Sequence, residues 1–192
     1  MRCFSYLRVE WLRLLRSPVT WLTLLAASLT PLIGYGIWQP AGTVTTAAVV
    51  LANPLLAGAL GGSFLFSALT VYELNRVKKY HMEAITDSIV PPLTAAAVKA
   101  ICLLLAAILW AAAVAALYLP YTIYSLGSSF QPGEYLRFSA IFLLPMPVMA
   151  VLMTAAFWQL FRRADLSFIA FTVVMLVGLG PWNTDTYLLY WI

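Results

Sequence analysis

The one dense run of charge in this chain is residues 72–92, YELNRVKKYHMEAITDSIVPP, set between two long apolar stretches. It holds Glu73, Arg76, Lys78, Lys79, Glu83 and Asp87, six of eighteen charged side chains (11 basic, 7 acidic). Wound as a helix, Arg76, Lys79, Glu83 and Asp87 fall at i, i+3, i+7 and i+11 and share a face. Leu74, Val77, Tyr80, Ala84 and Ile85 collect on another face. Pro91 and Pro92 end the segment, because proline has no N–H and its ring clashes with the preceding turn. The chemistry such a pattern allows is recognition: an amphipathic helix lies on a bilayer and offers its polar side to a soluble partner. The plainer reading is a connecting helix solvated along one side.

Reactive constellations are otherwise missing. His81 is the one histidine, and it lies in the same segment. Cys3 and Cys102 are too few and too far apart to suggest a disulfide framework. No GxSxG, HExxH or GxxxxGK[ST] occurs, so the sequence offers no esterase nucleophile, zinc-protease pair or P-loop. The apolar stretches carry no Asp or Glu at depth that would serve as a proton relay. Met146, Met149 and Met153 fall on one helical face; thioethers suit a soft metal such as Cu(I), but filling gaps is their ordinary use. The expectation is therefore a chain that is not an enzyme and binds no metal or cofactor itself. If it moves a solute, the energy comes from another chain.

The elements that position the charged run are apolar. The chain is 63% hydrophobic and 9% charged, with a mean hydropathy of +0.91. A soluble domain has about 45–50% apolar and roughly 25% charged residues. The composition predicts an all-α integral membrane protein, a single transmembrane domain over residues 1–192. The net charge of +4 is no sign of nucleic-acid binding, because where the charges sit matters more than their sum.

Residues 2–16 read as an amphipathic helix in the membrane plane. Phe4, Leu7, Trp11, Leu14 and Leu15 form its apolar stripe, with Trp11 and Phe4 entering the acyl boundary. Arg13 and Arg16 lie opposite, facing anionic headgroups, and Arg8 borders the two. Ser17 and Pro18 suit an N-cap and a first helical position.

Five apolar runs follow, near residues 19–38, 46–71, 93–119, 138–161 and 166–181. A hydrocarbon core of about 30 Å takes about 20 residues of helix. Because several apolar runs succeed the first, it reads as an uncleaved span and not a signal peptide. Gly58 and Gly62 in the second run form a GxxxG, which lets helices approach closely. The third run is rich in alanine, suited to close packing or to lining a path between subunits, and Lys99 near its start is expected to snorkel to the headgroups. Residues 120–137 form the longest outer connection, ringed by Tyr118, Tyr121, Tyr124, Phe130, Tyr135 and Phe138 as an aromatic belt. Pro145 and Pro147 interrupt the fourth run and, with Met149, mark a packing or pathway position.

With the N-terminus in the cytoplasm, ten of the eleven Lys and Arg residues lie on the inner side and only Arg137 outside. That is a strong positive-inside pattern for a multi-pass protein of the cell membrane, and it places 72–90 in the cytoplasm. Five spans leave an apolar tail outside, so either the tail dips back into the bilayer or the chain is part of a longer sequence whose sixth span returns inside.

At this level the layout resembles the membrane subunit of an ATP-binding-cassette exporter of the class-2 permease family. Arg8 to Leu25, RVEWLRLLRSPVTWLTLL, is similar to the basic amphipathic elbow helix that opens such subunits. Glu73, Arg76, Glu83, Pro91 and Lys99 stand where the family carries its cytoplasmic coupling helix and the start of the third span. The resemblance implies a second permease, the same or a different chain, and a cytoplasmic ATP-binding-cassette ATPase holding ATP and Mg. It also implies that this ATPase docks on a coupling helix at about 73–90 through Glu73, Arg76, Lys79, Glu83 and Asp87, with Tyr80 buried at the joint. The family has six spans with both termini inside, from which a five-span chain departs. Two rivals from other classes are a non-transporting scaffold or assembly subunit, and a membrane sensor or immunity protein whose aromatic outer connection binds a ligand.

Overall fold

The computed structural model describes residues 2–37, 47–79 and 91–189, all as helices and short turns, with no strand among them. The helices are α1 (Arg2–Arg16), α2 (Pro18–Ile37), α3 (Ala47–Lys79), α4 (Pro92–Leu126), α5 (Pro132–Phe138), α6 (Pro145–Phe161) and α7 (Ala164–Leu189). Among the described residues, four stretches are long and apolar enough to cross a membrane: Pro18–Tyr35, Leu51–Arg76, Leu93–Ser129 and Pro132–Phe161. In α7 the described apolar stretch is shorter, Ala164–Gly178. Fifteen residues rise about 22 Å, against the roughly 30 Å of a hydrocarbon core.

The central helix is α3, which packs against α2, α4, α6 and α7. Its small residues set how closely the neighbours come. A methyl group on Gly62 would stand 2.5 Å from the Trp110 ring, and one on Gly58 would stand 2.9 Å from the Pro31 ring. The two glycines of the GxxxG thus admit an indole from α4 and a proline from α2. Direct approach of backbones occurs elsewhere: a Cβ on Gly34 would lie 2.6 Å from the Asn53 carbonyl oxygen of α3. Around these contacts Phe66, Leu69, Leu103, Val114 and Val151 make the buried core. The Phe66 and Trp110 rings meet edge to face at 5.5 Å. The outward faces are apolar as well: Leu22, Leu25, Leu29 and Leu32 of α2 are exposed, which water penalises and acyl chains accept.

Proline placement explains where helices run on and where they restart. Pro31 sits inside α2 and leaves the Ala27 carbonyl without its i+4 donor; the Thr30 hydroxyl donates to that oxygen at 2.7 Å. Pro145 opens α6 after a wide π turn at Ser139–Leu143. There, and at Pro147 in the same first turn, a missing N–H costs no intrahelical bond.

Several expected boundaries move. Residues 72–79 do not begin a separate helix; α3 continues through them to Lys79, because nothing between Val71 and Lys79 breaks the turn. The connection expected at 120–137 shrinks to Gly127–Gln131, since α4 runs through Pro120 to Leu126. The aromatic belt divides accordingly. Tyr118 and Tyr135 turn inward, whereas Tyr124 is 86% exposed.

Candidate functional site

Ionisable side chains gather where α1 crosses the ends of α3 and α4. On α1, Tyr6, Glu10 and Arg13 are spaced i, i+4 and i+7, so they rise on one face. That face turns inward because the neighbouring stripe Leu7, Trp11 and Leu14 packs on the core. Trp11 therefore contacts protein, where the sequence pattern had placed it in the acyl boundary. The last turns of α3 bring Glu73 beneath the same helix, and the first turns of α4 bring Lys99.

Arg13 bridges the two carboxylates. Its Nε donates to Glu10 Oε2 at 2.5 Å, and its Nη2 donates to Glu73 Oε2 at 2.5 Å. The Tyr6 hydroxyl donates to Glu10 Oε1 at 3.0 Å. Glu73 is 1% exposed, and Glu10 and Lys99 are each 8% exposed. Burial disfavours the Arg13 cation, but hydrogen bonds to Glu73 and Glu10 outweigh it and hold its pKa above the usual value. Burial, reinforced by the Glu10 charge, pushes the Tyr6 phenol up, so it is a neutral donor throughout the physiological range. Arg13 Nη1 and Glu73 Oε1 are buried with no hydrogen-bond partner among the described residues. Lys99 lies within electrostatic reach of Glu10, Glu73, Arg13 and Arg76, with no carboxylate at ion-pair distance among the described residues.

This arrangement binds elements together. A buried pair stripped of one partner leaves an uncompensated charge, which costs about 3–5 kcal/mol. The end of α3 is thereby held to α1. The described residues contain no group of His, Cys, Asp and Glu that could hold a metal ion. Cys102 is a buried free thiol whose Sγ lies 3.9 Å from the Leu7 carbonyl oxygen.

Among the described residues, those singled out from the sequence are spread over several places. Glu73 lies inside the chain, bound to Arg13, so its carboxylate is not presented to a docked protein. Arg76, one turn on, is half-buried at the rim of a cleft. Lys79 is the last residue of α3, and Tyr80, Glu83 and Asp87 lie outside the described residues. Gly58 and Gly62 are packing positions in the middle of α3, Pro147 is buried at the start of α6, and Pro145 and Met149 are exposed there. Arg13, read from the sequence as facing headgroups, is turned to Glu10 and Glu73 instead. Lys99, expected to snorkel, is buried beneath α1. Glu10 was not singled out at all. Its signal was available, since it is the one acid within a basic helix and stands three residues before Arg13. Comparison with protein-family models, curated proteins and solved structures returned no match.

Proposed function

We propose that the chain is a permease subunit of an ATP-driven exporter of the ATP-binding-cassette class. In this reading the N-terminus is cytoplasmic, α7 supplies a fifth span, and two permease chains form the translocation path. A separate ATPase docks on the segment following Lys79. The observation that carries the reading is the Glu10–Arg13–Glu73 clamp on an unbroken α3. A partner pushing beyond Lys79 acts on a continuous lever of 33 residues whose charged end is fixed to α1. The stroke then moves α1, α3 and α4 together, where a hinge at residue 72 would absorb it.

The test is co-purification with the ATPase in detergent. Reversing the charges at Lys79→Glu and Glu83→Lys is expected to abolish capture of the ATPase while leaving the permease monodisperse. Undiminished capture and transport would overturn the assignment. A cysteine placed at His81 is expected to react with an impermeant maleimide only in lysed cells, and labelling of intact cells would reverse the orientation.

A further inference from the structure

We propose that the cleft between α1, the start of α2 and the end of α3 holds the phosphate of an anionic phospholipid. This inference is independent of the transporter reading, and the failure of either leaves the other standing. The cleft encloses about 560 Å3, within the range of small-molecule sites. Arg16 and Arg76 reach its wall from two different helices, and Arg13 stands beside them. Among the described residues no carboxylate lines it, and the two nearby acids, Glu10 and Glu73, are already bound to Arg13. Among the described residues neither Arg16 nor Arg76 has an ion-pair partner. Two arginines that line one concavity and have no ion-pair partner among the described residues call for an anion there, and planar guanidinium forks match phosphate oxygens in pairs. Tyr72 also lines the wall.

The remaining wall decides for a lipid over a free phosphate ion. Leu12 and Val19 supply apolar surface inside the cleft. Leu15, Trp21 and Leu22, adjacent in the chain, are exposed. A phosphate ion gains nothing from such surface, whereas acyl chains bury against it. The corner that shapes the cleft is also pinned: Trp21 Nε1–H donates to the Leu15 carbonyl at 2.7 Å, and the Ser17 N–H donates to the Leu14 carbonyl at 3.2 Å. Such a pinned corner reduces the ordering a headgroup must impose.

The experiment titrates the purified full chain, in neutral detergent, with phosphatidylglycerol or phosphatidylcholine and counts bound lipid by native mass spectrometry. One saturable equivalent of phosphatidylglycerol is expected, with phosphatidylcholine bound far more weakly. Arg16→Gln with Arg76→Gln is expected to weaken phosphatidylglycerol binding about thirty-fold, from two interfacial charges lost. Arg8→Gln with Arg137→Gln removes the same formal charge outside the cleft and is expected to leave binding within twofold of the parent. Equal affinity of the parent for both lipids would overturn the proposal, as would equal binding by the two double variants. Displacement of phosphatidylglycerol by an equal concentration of inorganic phosphate would also overturn it, in favour of a free-anion site. Should the cleft variant fail to fold, the competition on the parent chain alone decides.

Discussion

The two ends of the helix bundle are held by different physics. At one end, Arg13 of α1 joins Glu10 and Glu73 through ion pairs that are largely out of solvent. At the other, neutral aromatic side chains do the joining. The Tyr118 hydroxyl donates to the Ser28 carbonyl at 2.7 Å, and the Tyr135 hydroxyl donates to the Ala115 carbonyl at 2.6 Å. Tyr35 packs edge to face on Tyr121 at 4.6 Å. A tyrosine donating to a helical carbonyl shares an acceptor that already has a partner, so its loss orphans little. Among the described residues Arg13 alone bridges two buried acids, so its loss leaves both without an ion-pair partner and Glu10 with only the Tyr6 hydroxyl. The charged end is therefore all-or-none, and the tyrosine end degrades gradually.

The contrast is easiest to break at Arg13. Arg13→Ala leaves Glu10 and Glu73 buried without an ion-pair partner among the described residues and is expected to cost about 3–5 kcal/mol, read as a lowered melting temperature in lipid nanodiscs. Arg13→Met with Glu73→Met is expected to recover part of that loss, because the pair is removed whole. Strict additivity of the two single changes would show that they act as separate residues. Gly62→Leu drives side-chain atoms into the Trp110 ring and is expected to cost about 1–3 kcal/mol or more, while Gly133→Ala, with open space around it, stays within about 0.5 kcal/mol. At the tyrosine end, Tyr135→Phe is expected to cost about 1 kcal/mol, the net worth of one hydrogen bond. A loss as large as that of Arg13→Ala would erase the distinction between the ends.

The smallest effect belongs to the exposed pair of Arg163 and Asp165, 2.9 Å apart. The hydrogen bond from Arg163 lowers the Asp165 pKa, so whatever it contributes is present above the ordinary carboxylate range and is lost as the pH falls through the lowered pKa. Solvent screens it, and Asp165→Asn is expected to leave the melting temperature unchanged at neutral pH. The same scan on Arg13→Ala supplies the opposite extreme.

How much of this was legible beforehand differs by element. The apolar runs that became α2, α3, α4 and α6 could be read from residue type alone, because about 20 consecutive apolar residues have few soluble uses. Local signals misplaced the breaks. The third run was expected to end at residue 119, yet α4 runs on through Pro120, and α2 runs through Pro31, where a threonine hydroxyl meets the carbonyl left without its donor. The charge at residues 72–79 looked like a boundary, but charge does not stop a helix, and α3 carries it as its final turns. Glu73 and Arg76, three residues apart, went to different fates. One is sealed beneath α1 and the other lines a cleft, a difference set by the helix that happens to cover the first.

What the order of residues determined by itself is the class of molecule: helical, apolar enough for a bilayer, and charged at a few chosen places. Those properties follow from hydropathy and from the backbone's need to satisfy its own hydrogen bonds where water is excluded. Which charges meet was decided only by packing. Glu10 and Glu73 are far apart in the chain, and no spacing rule pairs them; the docking of α1 against α4 and the end of α3 leaves Arg13 as the nearest cation to both. Low dielectric then makes that proximity count, because a carboxylate buried there must find a partner or abandon its charge.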